Sequence, residues 1–346
     1  MHVEEWEVVG LADKLRLGIV GCGGIGTTHL RGLVKNPYIE ISAFCDVNLD
    51  LAKSVTQQYK QGARVFNNAE AMFGDARLDI AYLCVPPFAH GAEYLAIERG
   101  IPFFVEKPLH LNLEQVKRIA SAVAKKEVLT SVGYMNRYRK GVQRVREVLK
   151  DDPPILLLGG WIGGTPKYDA SAPIFSWWVD KAKSGGQFHE QVTHTVDLAR
   201  YLCGEVAEVH AYPAKGLNRG TAPNYTMEDA SVVNLKFRGG AVGNLWASCS
   251  SNGGEGGVSL TIYGLRTTAL FTKWEHNLKL LQMDKWHEDY PGEPNIFEVE
   301  DNAFIDAVRT GDASKILCPY SDGLKTLEVT LAANTSMETG QPVKIS

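Results

Sequence analysis

Cysteine pairs at disulfide or metal-binding spacing are missing from this sequence: Cys22, Cys45, Cys84, Cys203, Cys249 and Cys318 are scattered, with no C-x-x-C. This excludes a small disulfide-stapled scaffold and points to reduced thiols packed in a cytoplasmic protein. No run is long and apolar enough to span a bilayer. Residues 1–14 carry Glu4, Glu5, Glu7 and Asp13 where a signal peptide has basic and then apolar residues, so they read as an N-terminal extension and not a leader. Basic charge is not in excess either: 36 Lys and Arg stand against 40 Asp and Glu, which leaves no electrostatic footprint for nucleic acid. There is no internal repeat and no low-complexity segment. With 45% hydrophobic and 22% charged residues the composition is that of a globular protein, and 346 residues are enough for two domains.

Short apolar runs alternate with helical stretches through residues 15–134. Residues 15–20 read as a buried strand feeding a glycine cluster; 39–45, 63–66, 78–85, 102–105 and 129–132 read as further strands, with helices at 25–35, 49–59, 89–99 and 113–124. That alternation predicts an α/β Rossmann domain with a doubly wound parallel sheet over 15–134. After Asp151-Asp152-Pro153-Pro154 the pattern changes. Strand-like runs at 155–161, 206–212, 230–237, 241–248, 258–263, 268–272 and 278–282 predict a large open, mostly antiparallel sheet within a second, α+β domain over 135–346. Helices are expected over 186–202, 299–309 and 321–339, the last packing back on the first domain.

Gly21-Cys22-Gly23-Gly24-Ile25-Gly26 fits G-x-G-x-x-G between a strand and a helix, the context a dinucleotide fingerprint needs. Gly21 allows the tight turn, Gly23 the approach of the pyrophosphate and Gly26 the close packing of helix on strand. Asp46, 20 residues after Gly26, is placed to accept hydrogen bonds from the adenosine ribose. Its charge repels a 2′-phosphate, and Val47-Asn48 offers no cation to hold one, so NAD is expected in preference to NADP.

Glu106-Lys107-Pro108 follows the strand at 102–105, which puts Lys107 at a carboxyl end of the sheet, where such folds bind ligands. Further on, a helix through 186–202 sets Glu190, His194 and Asp197 on one face. His189-Glu190 with His194 imitates a zinc motif, but two histidines five residues apart diverge by about 140° around a helix, so no metal site is expected. Trp161, Tyr168, Trp177 and Trp178 precede that helix and can stack on a sugar ring, or simply pack.

These motifs, together with the closing Glu338-Thr339-Gly340-Gln341-Pro342-Val343, resemble the Gfo/Idh/MocA oxidoreductase family over nearly the whole chain. The resemblance implies NAD(P)-dependent interconversion of a secondary alcohol and a ketone on a sugar, sugar acid or cyclitol, and a homodimer or homotetramer built on the open sheet. It implies a catalytic lysine at Lys107, a histidine at His194 and a carboxylate at Glu190, where members usually carry Asp. It also implies cofactor contacts from Gly24, Ile25, Val85, Pro86, His90, Glu106 and Lys107; many members have Asn where this chain has Phe88. Asn136, Arg137 and Tyr138 fall on a hinge segment expected to line the cleft. Lysine ordinarily titrates near pH 10.4, so a basic Lys107 needs a depressed value, whereas a histidine needs no such help. Three activities satisfy these residues: a dehydrogenase, an NAD-dependent glycosidase that oxidises, eliminates and re-reduces, and a non-catalytic sugar sensor.

Overall fold

Six short strands, buried and apolar in the middle of the sheet, pair in a fully parallel sheet in the order β3-β2-β1-β4-β5-β6. They are β1 (Leu15–Val20), β2 (Ile39–Cys45), β3 (Arg64–Phe66), β4 (Ile80–Leu83), β5 (Phe103–Val105) and β6 (Thr130–Val132). The computed structural model describes residues 14–345 except 166, 219 and 284–286, so the extension expected over 1–14 lies, apart from Lys14, outside the described residues. Helices α1 (Gly24–Leu33), α2 (Leu49–Tyr59), α3 (Ala69–Asp75), α4 (Ala92–Glu98) and α5 (Leu113–Lys126) are the crossovers. Strand order reverses between β1 and β4, and the crevice at their carboxyl ends is where a doubly wound sheet binds its ligand.

After α6 (Lys140–Val148), nine strands make the second sheet: β7 (Leu156–Ile162), β8 (Val206–Ala214), β9 (Ala230–Phe237), β10 (Val242–Ser248), β11 (Gly257–Tyr263), β12 (Thr267–Thr272), β13 (Asn277–Gln282), β14 (Glu288–Tyr290) and β15 (Val343–Lys344). Their order is β14-β13-β12-β11-β7-β10-β9-β8-β15, and every pairing is antiparallel except β7 with β10. Burial alternates residue by residue, as in β9, so one face covers a core and the other stays open. The sequence does not announce β14 and β15, which are polar and very short.

The single helix expected over 186–202 is broken. Following α7 (Lys181–Ser184), α8 (Gln187–Glu190) stops, and α9 (Thr193–Cys203) starts on a new register. At the break, Val192 N donates to Gln187 O five residues back, and Thr195 N donates to Val192 O three residues back. The β-branched run Val192, Thr193, Thr195, Val196 weakens helix continuity here. The consequence is that Asp197 does not share a face with Glu190.

Asp197 instead belongs to a buried charge cluster. Arg137 donates from Nε and Nη2 to its two oxygens at 2.8 and 2.6 Å, and also pairs with Asp322. Arg200 donates to the other Asp322 oxygen at 2.8 Å, and Thr326 Oγ1 to Asp197 at 2.9 Å. This corrects the expectation for the hinge segment: Arg137 is 1% exposed and faces inward, while Asn136, 2% exposed, accepts from Arg139 Nε at 2.7 Å. Neither lines the cleft.

The last helices, α10 (Ile296–Thr310) and α11 (Tyr320–Thr339), join the two sheets. α10 packs on α1, and α11 lies against α5 and β6 on one side and β8 and α9 on the other. Replacing Arg137 with Met strips Asp197 of its bidentate partner, so unfolding in urea is expected to show a loss of about 3–5 kcal/mol, with NAD affinity unchanged.

Candidate active site

Close backbone packing shapes the loop after β1. A Cβ on Gly26 would lie 2.1 Å from Gly21 O, and one on Gly21, at φ +95°, would lie 2.2 Å from Cys84 O. A Cβ on Gly23 or Gly24 would meet no protein atom within 4 Å, because both border a cavity of about 560 Å3. No side chain caps α1 at Gly23, so its first N–H groups remain available to an anion. Ile25, Val85, Pro86 and Glu106 line the same cavity. This cradle fits a dinucleotide pyrophosphate.

Asp46 fixes the loop beside it: Oδ2 accepts from Cys22 N and Oδ1 from Asn48 N, each at 2.8 Å. A carboxylate has about four acceptor sites, so capacity remains for ribose hydroxyls. His90 does not reach the cavity. Its Nδ1 lies 2.6 Å from Glu93 Oε1, both side chains are fully buried, and exposed Phe88 stands nearer the cleft, 6.4 Å from the Trp177 ring.

Lys107 extends from the end of β5 to the second half of the chain. Its Nζ donates to the Glu190 backbone carbonyl at 3.0 Å and to Glu190 Oε1 at 3.1 Å. Trp178 Nε1 donates to the other carboxylate oxygen at 3.1 Å. His194 is buried, with its ring edge-on to Tyr134 and Trp274 and its Nδ1 unpaired. Burial, reinforced by the charge of Lys107, holds this imidazole well below its ordinary value, so it is neutral at pH 7. Lys107, Glu190 and His194 line both the dinucleotide cavity and an adjoining one of about 230 Å3, with Trp161, Ile174, Trp177, Trp178, Gln191 and Trp274 around it. A wider surface groove, about 770 Å3 between α5 and α11, contains none of the three.

Of the expected aromatic residues, Trp161, Trp177 and Trp178 all border the smaller cavity, Trp178 with only 2% of its surface exposed. Tyr168 is exposed elsewhere, edge-on to Phe175. His189 is turned away into the core, bonded to Thr330 at 2.9 Å, and burial pushes it down to about 3.

Sequence reasoning missed Trp274, which arrives on the β12–β13 hairpin, and His29 on α1. His29 is fully buried between two carboxylates, with Nδ1 2.8 Å from Asp301 and Nε2 3.0 Å from Glu106. Burial alone would lower its pKa, but Asp301 and Glu106 outweigh that and hold the imidazole well above 6.5. Burial still pushes the Asp301 carboxyl up, and neighbouring Glu300, with neither oxygen paired, is pushed well up. The available signal was a polar residue on the core-facing side of the helix that follows the glycine loop.

One cavity therefore joins a phosphate-ready glycine loop to acid–base groups, as hydride transfer to or from a nicotinamide requires. Comparison with known proteins leads to the same class. Residues 15–134 match the sequence model of the oxidoreductase family with an NAD-binding Rossmann fold, and 163–345 match that family's C-terminal alpha/beta domain. The chain belongs to this family, Gfo/Idh/MocA; it is an NAD-dependent dehydrogenase. The uncharacterized oxidoreductase YrbE of Bacillus subtilis (strain 168) is 25% identical, with 97% of this chain and 98% of that one aligned. The scyllo-inositol 2-dehydrogenase (NAD(+)) of the same organism is 26% identical over 97% of each chain. In fold, levoglucosan dehydrogenase in complex with NADH superposes with a TM-score of 0.84 at 18% identity, covering 96% of this chain and 100% of that one. No helix among the described residues is long and apolar enough to cross a membrane.

His29→Gln leaves two buried carboxylates without their shared cation, an expected loss of about 3 kcal/mol near pH 6 by urea unfolding. A group raised above its unfolded value stabilises fully below that value, here 6.5, and loses the contribution as pH rises through the folded value. The gap between wild type and variant should therefore narrow in alkali; a pH-independent gap would mean that His29 is neutral in the fold.

Proposed function

We propose that this dehydrogenase interconverts a secondary alcohol and a ketone on a cyclic polyol, with Lys107 and His194 handling the proton and Glu190 holding the lysine. The observation that carries this reading is the Lys107–Glu190 pair and the neutral His194 in one cavity with the Gly23–Gly24 cradle. NAD, when bound, supplies the hydride acceptor for oxidation or the donor for reduction. Two N–H groups of the Lys107 ammonium go to Glu190, leaving a third for the reacting oxygen. That contact favours the developing alkoxide, and the uncharged imidazole of His194 takes the hydroxyl proton on oxidation and returns it on reduction.

The cavity walls bear on substrate class. Trp161, Trp177 and Trp274 offer flat apolar faces to the C–H side of a sugar or cyclitol. Among the described residues lining these cavities Lys107 is the one cation, already paired with Glu190, which favours an uncharged ring over a sugar acid. The inositol dehydrogenases among its relatives act on molecules of that kind.

The open sheet face carries exposed Tyr212, Val232, Val242, Tyr263 and Leu281, an apolar surface suited to a second copy of the chain. The six cysteines, all buried and unpaired, suit a reducing cytoplasm.

NADH formation across a panel of sugars, sugar acids, cyclitols and aryl glycosides tests the activity. Uncharged cyclitols or sugars should react, and Lys107→Met should lower kcat at least about 100-fold. A tenfold effect or less would remove Lys107 from the chemistry, and NAD-dependent aglycone release without net NADH would replace a dehydrogenase with a glycosidase. Val232→Glu with Val242→Glu should shift sedimentation toward the monomer, since charge on a buried apolar interface is costly.

A further inference from the structure

Building on that reading of the site, we propose that Trp178 is a positioning residue: its indole N–H fixes the Glu190 carboxylate and thereby aims the Lys107 ammonium. Lys107 contacts Glu190 twice, at the backbone carbonyl and at Oε1. Both contacts together require the Glu190 carbonyl and Oε1 to converge on one nitrogen, which restricts the side-chain torsions. A glutamate has one more torsion than the aspartate usual at this place in the family, and its terminal torsion is broad and soft. Covalent geometry alone does not hold the carboxylate in that convergent arrangement.

Trp178 supplies the constraint. Its one polar side-chain atom donates to Glu190 Oε2 at 3.1 Å, which leaves Oε1 directed at Lys107. The indole is itself rigidly held: Trp178 N donates to Ile174 O at 2.8 Å, and the ring sits in a small core with Phe175, Val179, Tyr225, Met227 and Cys249. This core is separate from the main cores of the two sheets. A chain of fixed contacts thus runs from that satellite core through Trp178 and Glu190 to the ammonium. At 2% exposure, Trp178 has little ring surface to offer a substrate, so stacking is the weaker account of it.

The test is a double-mutant cycle on the NAD-loaded enzyme with Trp178→Phe, Glu190→Asp and both together. A hydrogen bond to a charged group is worth about 1.5–3 kcal/mol, so Trp178→Phe should lower kcat by about 10- to 150-fold while KM for NAD is unchanged. The shorter carboxylate of the Glu190→Asp variant cannot reach the indole, so in that background Trp178→Phe should change kcat by less than about twofold. The second readout needs no substrate: acetylation of Lys107 by acetic anhydride, followed by peptide mass spectrometry. Trp178→Phe should accelerate it at least about threefold in the otherwise wild-type protein and leave it unchanged in the Glu190→Asp background. Effects that multiply independently in both readouts overturn the proposal.

If Trp178→Phe does not fold, benzothienylalanine at position 178 keeps the ring shape without the N–H and serves in its place. Absence of turnover on any polyol, with coupling intact in the labelling, would sink the proposed activity and leave the positioning role standing. Turnover without coupling would do the reverse.

Discussion

Lys107 follows β5 of the first sheet, and both partners of its Nζ belong to Glu190, 83 positions later in the second half of the chain. This ion pair is half-shielded, with each side chain 13% exposed, so it is screened less than a surface pair and is free to work as a geometric restraint. Much else in the cleft follows from it. Glu190, the last residue of α8, and His194, in the first turn of α9, flank the helix break and both face that cavity.

Two further clusters of buried charge fasten elements that meet near the cleft, and each carries a different burden. The Arg137 cluster ties the segment before α6 to α9 and α11, using bidentate geometry that leaves few donors unused. The His29 cluster lies under the glycine loop, tying α1 to α10 and to Glu106, whose second oxygen accepts from Lys107 N at 3.0 Å. Glu106, the residue that precedes Lys107, is therefore fixed from beneath the glycine loop.

The parallel sheet, the glycine loop and the seven main runs of the second sheet were legible in the sequence, because buried strands and tight turns are written in local pattern. The boundary errors were small, as with the strand expected at 78–85 and observed over Ile80–Leu83. Helices α3 and α6 were not anticipated, α3 being only seven residues long and α6 nine, and the other features that failed to show are set mostly by distant partners. Arg137 looks like a cleft residue until Asp197 and Asp322 are placed beside it. His90 reads as a cofactor contact until Glu93 claims its ring. The helix break at 191–192 is a slip of hydrogen-bond register that propensity only hints at, and Trp274 has no spacing relation to the motif it faces.

The placement of the two final helices also governs how the molecule is made. Phe304, Ile305 and Ala307 of α10 complete one core beneath the first sheet, and Tyr320 and Leu327 of α11 complete the other. Strand β7, in the middle of the second sheet, finds its neighbours β10 and β11 only about 80 to 100 residues later. The cores of the first sheet, already lined by its crossover helices, are therefore complete only once α10 and α11 have docked. Two halves that look separable by motif thus share a dependence: the nucleotide-binding half is packed by helices that the chain supplies only after the whole second sheet has been laid down.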